Sequence, residues 1–201
     1  MYALHGRNTA DCALAYTELF GWKVLPGYRF RRHAGCTCKR RGCRAPGAHP
    51  VDESLLQPVE AMKIPEVFNQ RPGAGLIALC EGFDAVTMPY ELGLSVLLEA
   101  EGAGLGVPCL TVPGMAATIL VAMRTGQHLA RLDSRIRVVE RWVALPPTHD
   151  VRWESLPSPE LALTDAADLT PHLTRAVRLH RPEPVQSALR SSSSAPGEGG
   201  S

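Results

Sequence analysis

Residues 75–123, GLIALCEGFDAVTMPYELGLSVLLEAEGAGLGVPCLTVPGMAATILVAM, alternate between strand and helix signals and decide the fold class. Gly75–Leu79 and Phe83–Met88 are short apolar runs typical of strands, and the turn-forming pair Glu81-Gly82 between them predicts a hairpin. In Glu91–Ala100 the leucines recur at helical spacing, which predicts a helix. The stretch therefore indicates strands and helices mixed in one fold.

The last part of this stretch predicts a second strand pair. Pro108–Val112 and Ala116–Met123 are both apolar, and Pro113-Gly114 between them is a common turn pair. The sequence as a whole predicts an α/β fold, with an antiparallel or mixed sheet backed by helices.

The flanking segments continue the same alternation of helix and strand. Before the stretch we expect a helix over Asn8–Phe20, a strand over Trp22–Pro26, an irregular region over Gly27–Pro50 and helical turns within Ser54–Phe68. After it we expect strands over Ile136–Val139 and Trp142–Leu145, then a helix capped by Thr170 and starting at Pro171.

Length and composition predict one domain. The chain has 201 residues, of which 45% are hydrophobic, which suits a single compact core over residues 1–185. Residues 186–201 are rich in Ser, Gly and Pro, and we expect a disordered tail there.

The distribution of apolar residues argues against a membrane partner. No apolar run reaches the roughly 20 residues that a membrane span needs, and the N-terminus lacks a basic segment followed by an apolar one. We therefore expect a cytoplasmic protein. The formal net charge of +1 neither favours nor excludes a nucleic-acid partner, because the position of the charges matters more than their sum.

The region over residues 27–50 carries a candidate zinc site. Cys36, Cys38, Cys43 and His49 are spaced C-x-C-x4-C-x5-H, and three thiolates with one imidazole are a favoured ligand set for structural zinc. His33 is an alternative fourth ligand. In a reducing compartment such crowded cysteines indicate a metal before disulfides, although three free thiols in a loop remain the simpler alternative.

The same region is strongly basic. No acidic residue lies between Glu18 and Asp52, while a third of the 21 lysines and arginines fall within it. Such a patch can bind a phosphate backbone, or it can simply keep a surface loop soluble. The candidate nucleic-acid-binding residues are Arg29, Arg31, Arg32, Lys39, Arg40, Arg41 and Arg44.

Three segments together resemble one known family. ALAYTELFGWKVLP over residues 13–26, CTCKRRGCRAPGAHP over 36–50 and WVALPPT over 142–148 occur in this order in primase-polymerase domains. These domains belong to the archaeo-eukaryotic primase superfamily, here in the form common in actinobacterial and phage proteins. The resemblance implies an RRM-like sheet, often a zinc-bearing insertion, and in active members DNA primase or polymerase activity.

The residues that catalysis in this family depends on are missing. Active members hold two divalent metals with an acidic D-x-D pair, and two-metal chemistry requires such carboxylates. The resemblance places Thr87 and Pro89 at the two positions of this pair. The family also has a histidine on the next strand, but residues 111–118 contain none. A third acidic residue of the family corresponds to Arg135 here, and the nearby Asp133 is two positions away. The resemblance therefore implies no catalytic residues here, although Asp84 and Asp133 together could hold a single weak metal ion.

Three functions follow as hypotheses. The first is a catalytically inactive primase-polymerase-like protein that binds DNA or RNA through the basic zinc loop. The second is a regulatory module that binds another protein, which the scarcity of aromatic residues favours, since single-strand binders usually offer stacking rings. The third is an active DNA primase or polymerase.

Overall fold

The computed structural model describes residues 8–180, which form an α/β fold of strands and helices. The strands are β1 (Val24–Arg31), β2 (Gly35–Cys36), β3 (Ala74–Leu79), β4 (Asp84–Pro89), β5 (Cys109–Val112), β6 (Ala116–Val121), β7 (Arg137–Val139), β8 (Trp142–Leu145) and β9 (Arg152–Ser155). The helices are α1 (Thr9–Phe20), α2 (Ile64–Asn69), α3 (Tyr90–Gly102), α4 (Gln127–Ala130) and α5 (Ala166–Leu179), with a 3-10 turn at Ala61–Lys63 before α2.

The strands form two antiparallel sheets. The first sheet has the order β2-β1-β3-β8 and the second has the order β7-β4-β6-β5-β9. Every strand pair in both sheets is antiparallel. The predicted fold class, an α/β fold with antiparallel sheet and packed helices, is confirmed.

The second sheet is buried on both faces, and each face belongs to a different core. One face packs beneath α3 and α5, where Val86, Ile119 and Leu173 are fully buried. The other face turns toward the first sheet and α1, and the shared core there includes Leu76 and Leu120. Because one core contains residues of both sheets, neither sheet buries its apolar surface without the other.

An aromatic cluster fills the core around α1. Tyr16, Phe20, Trp22, Phe83 and Trp153 lie with ring centroids 4.9–6.4 Å apart. The indole Nε1 of Trp153 donates a hydrogen bond of 2.7 Å to the Tyr16 hydroxyl, and burial raises the pKa of that phenol above its ordinary value. These aromatic residues therefore serve packing.

The first helix begins and ends as the sequence predicts. The Asn8 side chain accepts a hydrogen bond of 3.0 Å from the Asp11 backbone N–H, which is a standard N-cap. Gly21 ends the helix with a φ of 66°, a left-handed conformation that favours glycine.

The hairpin predicted over Gly75–Leu79 and Phe83–Met88 is wrong. Both segments are strands, but β3 lies in the first sheet between β1 and β8, while β4 lies in the second sheet between β6 and β7. Both hydrogen-bonding edges of β3 are taken by other strands, so the short Cys80–Phe83 link carries the chain from one sheet to the other. The strand pair β5–β6 around Pro113-Gly114 is confirmed.

The region over residues 27–50 is more regular than the sequence predicts. Strand β1 continues beyond Pro26 to Arg31 and forms a short hairpin with β2, with Phe30 opposite Cys36. The register of the β1–β3 pair shifts between Pro26 and Arg29, so an irregularity follows directly after the proline.

The start predicted for the last helix is also wrong. Helix α5 begins at Ala166, because the Asp165 carboxylate accepts a hydrogen bond of 2.8 Å from the Ala167 backbone N–H. Pro171 lies inside the helix and removes the N–H that would have bonded to the Ala167 carbonyl. Ala167 is exposed, so water can satisfy that carbonyl.

Two short elements, α4 and β9, lie in stretches for which the sequence predicts neither helix nor strand. The predicted tail over residues 186–201 lies outside the described residues, and the single domain over residues 1–185 stays a prediction. Within residues 8–180, each helix is too short or too polar to cross a lipid bilayer.

Close packing of α3 on β6 gives a testable prediction. A Cβ added at Gly93 would lie 2.2 Å from the Cβ of Ala117, whereas a Cβ at Gly102 in the same helix meets nothing within 4 Å. We expect Gly93→Ala to lower the free energy of unfolding by about 1–3 kcal/mol despite the better helix propensity of alanine. Gly102→Ala should leave stability unchanged or raise it, and urea unfolding measures both. Equal stability of the two variants would contradict this close packing.

Candidate metal centre and basic surface

Four potential metal ligands converge in the loop between β1 and α2. The Sγ atoms of Cys36, Cys38 and Cys43 and a ring nitrogen of His49 all lie within 4.8 Å of one another. The His49 Nε2 atom lies 3.5 Å from both the Cys36 and the Cys43 sulfur. All four residues predicted as metal ligands are therefore brought together.

The spacing of these atoms fits a tetrahedral zinc ion. With Zn–S near 2.3 Å and Zn–N near 2.0–2.1 Å, a tetrahedral site places sulfur and nitrogen ligands about 3.6 Å apart. The two N···S distances of 3.5 Å agree with this value. The donor set of three sulfurs and one imidazole is typical of closed structural zinc sites. The geometry is therefore compatible with zinc.

Glycines allow the loop to fold close to the first sheet. Gly47 has a φ of 78° and donates its backbone N–H to the Cys36 sulfur at 3.3 Å. A Cβ at Gly75 of β3 would lie only 1.9 Å from the Gly47 carbonyl oxygen, so both positions require glycine. His49 is fixed beside them, because its carbonyl accepts a hydrogen bond of 2.9 Å from the Tyr28 N–H. The sheet thus holds both ends of the cluster.

The local environment favours a thiolate at Cys38. Partial loss of hydration alone would raise the pKa of this thiol, but a hydrogen bond from the Arg40 backbone, the neighbouring thiols and the Arg40 charge together lower the pKa below its ordinary value. Desolvation raises the pKa of Cys43, and the thiols of Cys38 and Cys36 add to that increase. These opposite directions favour a negative charge on Cys38 and disfavour a second one on Cys43, and a bound cation would reduce the repulsion between the two.

Glu53 faces the side of His49 that points away from the cysteines, and the sequence motifs did not identify it. The Nδ1 atom of His49 is buried without a hydrogen-bond partner and lies 3.8 Å from a carboxylate oxygen of Glu53. The same oxygen accepts from the Arg40 guanidinium at 3.1 Å. A carboxylate facing the far nitrogen of a ligating histidine is a common way to orient the ring. The H-x3-E spacing of these residues was the signal that could have found it.

His33 does not join the cluster. Among the described residues the metal-ligand group contains Cys36, Cys38, Cys43 and His49, and His33 is exposed on the turn between β1 and β2. The alternative of His33 as fourth ligand is therefore not supported.

The predicted basic residues are exposed and lie in two parts of the segment over residues 27–50. Arg29, Arg31 and Arg32 lie on β1 and the turn that follows it, and the other four surround the cysteines. Within residues 8–180, only Arg40 of the seven has a carboxylate partner within 4.0 Å. All seven side chains are exposed: Arg29, Arg31, Arg32, Lys39, Arg40, Arg41 and Arg44. We call this the basic surface.

A cavity of about 580 Å³ lies where the two sheets meet the loop that carries the cysteine cluster, which we call the metal loop. Thr87, one of the positions where the family resemblance places a metal-binding acid, lines it. Most of the lining is aliphatic or threonine, and its charged members are Glu140 and Arg141. Ala45 and Ala48 of the metal loop form part of one wall. The cavity therefore lacks the paired carboxylates that two-metal chemistry requires.

The remaining acidic candidates, Asp84 and Asp133, already have partners within the protein. Asp84 accepts a hydrogen bond of 2.8 Å from the Gly126 backbone N–H. Asp133 forms a bidentate pair with Arg135, with both N–H···O distances at 2.9 Å. Asp84 thus links the start of β4 to the turn before α4, and Asp133 binds a residue of its own loop.

Comparisons with family models, with curated proteins and with solved structures gave no match for this chain. The resemblance to primase-polymerase domains therefore stays a prediction from the sequence motifs.

The thiols of the chain should divide into two groups by reactivity. Burial raises the pKa of Cys80 and of Cys109 to about 12, so these two thiols stay protonated near neutral pH and react slowly. Cys12 is buried, which shields it from a reagent. We expect zinc to protect Cys36, Cys38 and Cys43 from a disulfide reagent, and a chelator to release them as a fast phase.

The control for this experiment is a pair of serine variants. Cys43→Ser should reduce the fast phase and abolish stoichiometric zinc binding, whereas Cys80→Ser should change neither. A fast phase of the same size with and without zinc would show that the three thiols do not share a metal ion.

Proposed function

We propose that this chain is a catalytically inactive, primase-polymerase-like protein that binds nucleic acid through a basic loop stabilised by zinc. The observation that carries the proposal is the convergence of the three cysteines and His49 within a segment whose exposed charges are almost all positive. Zinc holds such a loop in one conformation, and a fixed array of cations binds a phosphate backbone better than a mobile one.

The electrostatics of the loop support this proposal. A zinc ion with three thiolates and a neutral imidazole has a net charge of −1, so the metal centre attracts the arginines around it. Among the seven basic residues, all of which are described, Arg40 alone pairs with a carboxylate, that of Glu53. The other six cations can therefore contact a polyanion. Phosphate contacts of this kind give affinity without sequence specificity.

The loss of catalysis is supported by the lining of the cavity and by the residues that stand at the expected positions of the metal-binding acids. The positions that the resemblance assigns to metal-binding acids hold Thr87, Pro89 and Arg135, none of which replaces a carboxylate. Arg135 also binds Asp133 through two hydrogen bonds, so a basic group occupies the neighbourhood of the third acid. A regulatory protein-binding module remains the alternative if nucleic acid does not bind.

Salt dependence tests the proposed binding. We expect labelled DNA to bind with an affinity that falls steeply as salt increases, since each phosphate contact releases condensed counterions. Replacing Arg41 and Arg44 together by glutamine should weaken binding. It should also make the log–log salt slope shallower by about 0.7–0.9 for each phosphate that the variant no longer neutralises.

The matched control for the salt series replaces two exposed arginines elsewhere on the chain, Arg131 and Arg178, by glutamine. This double variant changes the net charge equally and should bind DNA as the parent does. Fluorescence anisotropy across the salt series measures both. Equally weakened binding in the two double variants, or no binding at low salt, would contradict a role for the basic surface.

A nucleotidyl-transfer assay separates this proposal from an active primase or polymerase. We expect no incorporation of nucleotides by the parent with magnesium or manganese, because paired carboxylates are missing from the cavity. Asp84→Asn is the control, since asparagine can still accept the hydrogen bond from Gly126. Incorporation by the parent that disappears in Asp84→Asn would identify an active enzyme.

A further inference from the structure

Two aromatic rings stack at the edge of the basic surface. Phe30 of β1 and His149, which follows the turn after β8, lie with ring centroids 3.6 Å apart and an interplanar angle of 4°. Phe30 is half-buried against Gly47, whereas the His149 side chain is 38% exposed. Because Phe30 covers one face of the imidazole, the exposure of His149 comes from its other face and its edges.

We propose that this ring pair is a stacking platform for one unpaired base of a single-stranded nucleic acid. The inference rests on the proposed function, and it specifies that the nucleic acid bound by the basic surface is single-stranded. A flat, solvent-facing ring backed by a second ring lets a base stack on it, as the base stacks on its neighbours within a strand. Such stacking on an aromatic side chain depends little on the base sequence. The scarcity of aromatic residues in the sequence argued against a single-strand binder, but this ring pair supplies a stacking surface.

The position of the platform within the basic surface supports this assignment. Arg31 and Arg32 follow Phe30 directly along the chain, and both are exposed. Because an extended chain rises about 3.3 Å per residue, the Cα of Arg32, where the turn begins, lies no more than roughly 7 Å from that of Phe30. A nucleotide stacked on His149 therefore has cations within reach of its phosphate.

An acidic residue lies at one edge of the platform. The Asp150 carboxylate lies 3.1 Å from the Nε2 atom of His149. This negative charge repels a phosphate, so we expect the nucleic-acid backbone to pass along another side of the ring.

A duplex cannot use this platform. Paired bases already stack on their neighbours and present only their edges in the grooves, whereas an unpaired base can turn its face to an aromatic ring. The basic surface can contact the phosphates of both forms. Single-strand binding should therefore depend on Phe30 and His149, and duplex binding should depend on the arginines alone.

The test compares labelled single strands of DNA and of RNA with the DNA duplex of the same length, by fluorescence anisotropy. We expect His149→Ala to weaken binding of the single strands on the order of tenfold and to leave duplex binding unchanged. His149→Trp should strengthen single-strand binding, because its ring is larger. His128→Ala, which removes another exposed histidine, is the matched control and should change nothing.

A base analogue reports stacking independently of affinity. A single 2-aminopurine in the strand should lose fluorescence on binding the parent and keep it on binding His149→Ala. Thermal unfolding of each variant shows whether it is folded, and Phe30→Leu provides a second change in the same ring pair.

The outcomes separate the two proposals. If the parent binds both forms but His149→Ala and His149→Trp alter neither, the platform is wrong and the proposed function stands. An equal weakening for single strand and duplex also overturns the platform. If the parent binds neither form at low salt, the proposed function fails and the platform fails with it.

Discussion

The arrangement of the basic loop depends on the convergence of three sulfurs and one imidazole nitrogen. Seven exposed cations on one short segment repel each other, and the segment buries few apolar side chains that would oppose this repulsion. The cluster places three ionisable sulfurs at the centre of these charges. A bound zinc ion would add covalent cohesion together with a net negative charge, and both effects act against the repulsion.

The position of the loop on the protein depends on contacts with the first sheet. The Gly47 carbonyl leaves no space for a side chain at Gly75, and Phe30 crowds the position that a side chain at Gly47 would take. The cysteines, the arginines of β1 and the Phe30–His149 pair are thus held by the same two strands. A change at the cysteine cluster would therefore reach the basic surface through paired strands rather than through an unpaired linker.

The sequence predicted local features better than it predicted pairing. The ends of α1 and the turn between β5 and β6 follow from Asn8, Gly21 and Pro113-Gly114, because each acts on its immediate neighbours. The separation of β3 from β4 could not be predicted, since it depends on which strands occupy the edges of β3. The convergence of the four candidate ligands was predicted, because ligand chemistry depends on residue type and spacing. The exposure of the basic residues followed from their charge. Glu53 and the Phe30–His149 pair were missed, since Glu53 lies beyond the loop and the two rings are distant in sequence.

The link between β7 and β8 has a consequence for the cavity between the sheets. Strand β7 belongs to the second sheet and β8 to the first, and only Glu140 and Arg141 separate them. Residues 139–144 line the cavity continuously while the chain crosses from one sheet to the other. On this side the gap between the sheets is bridged by a link of two residues, so the facing ends of β7 and β8 cannot separate by more than the length of that link. The link therefore limits how far this side of the cavity can open.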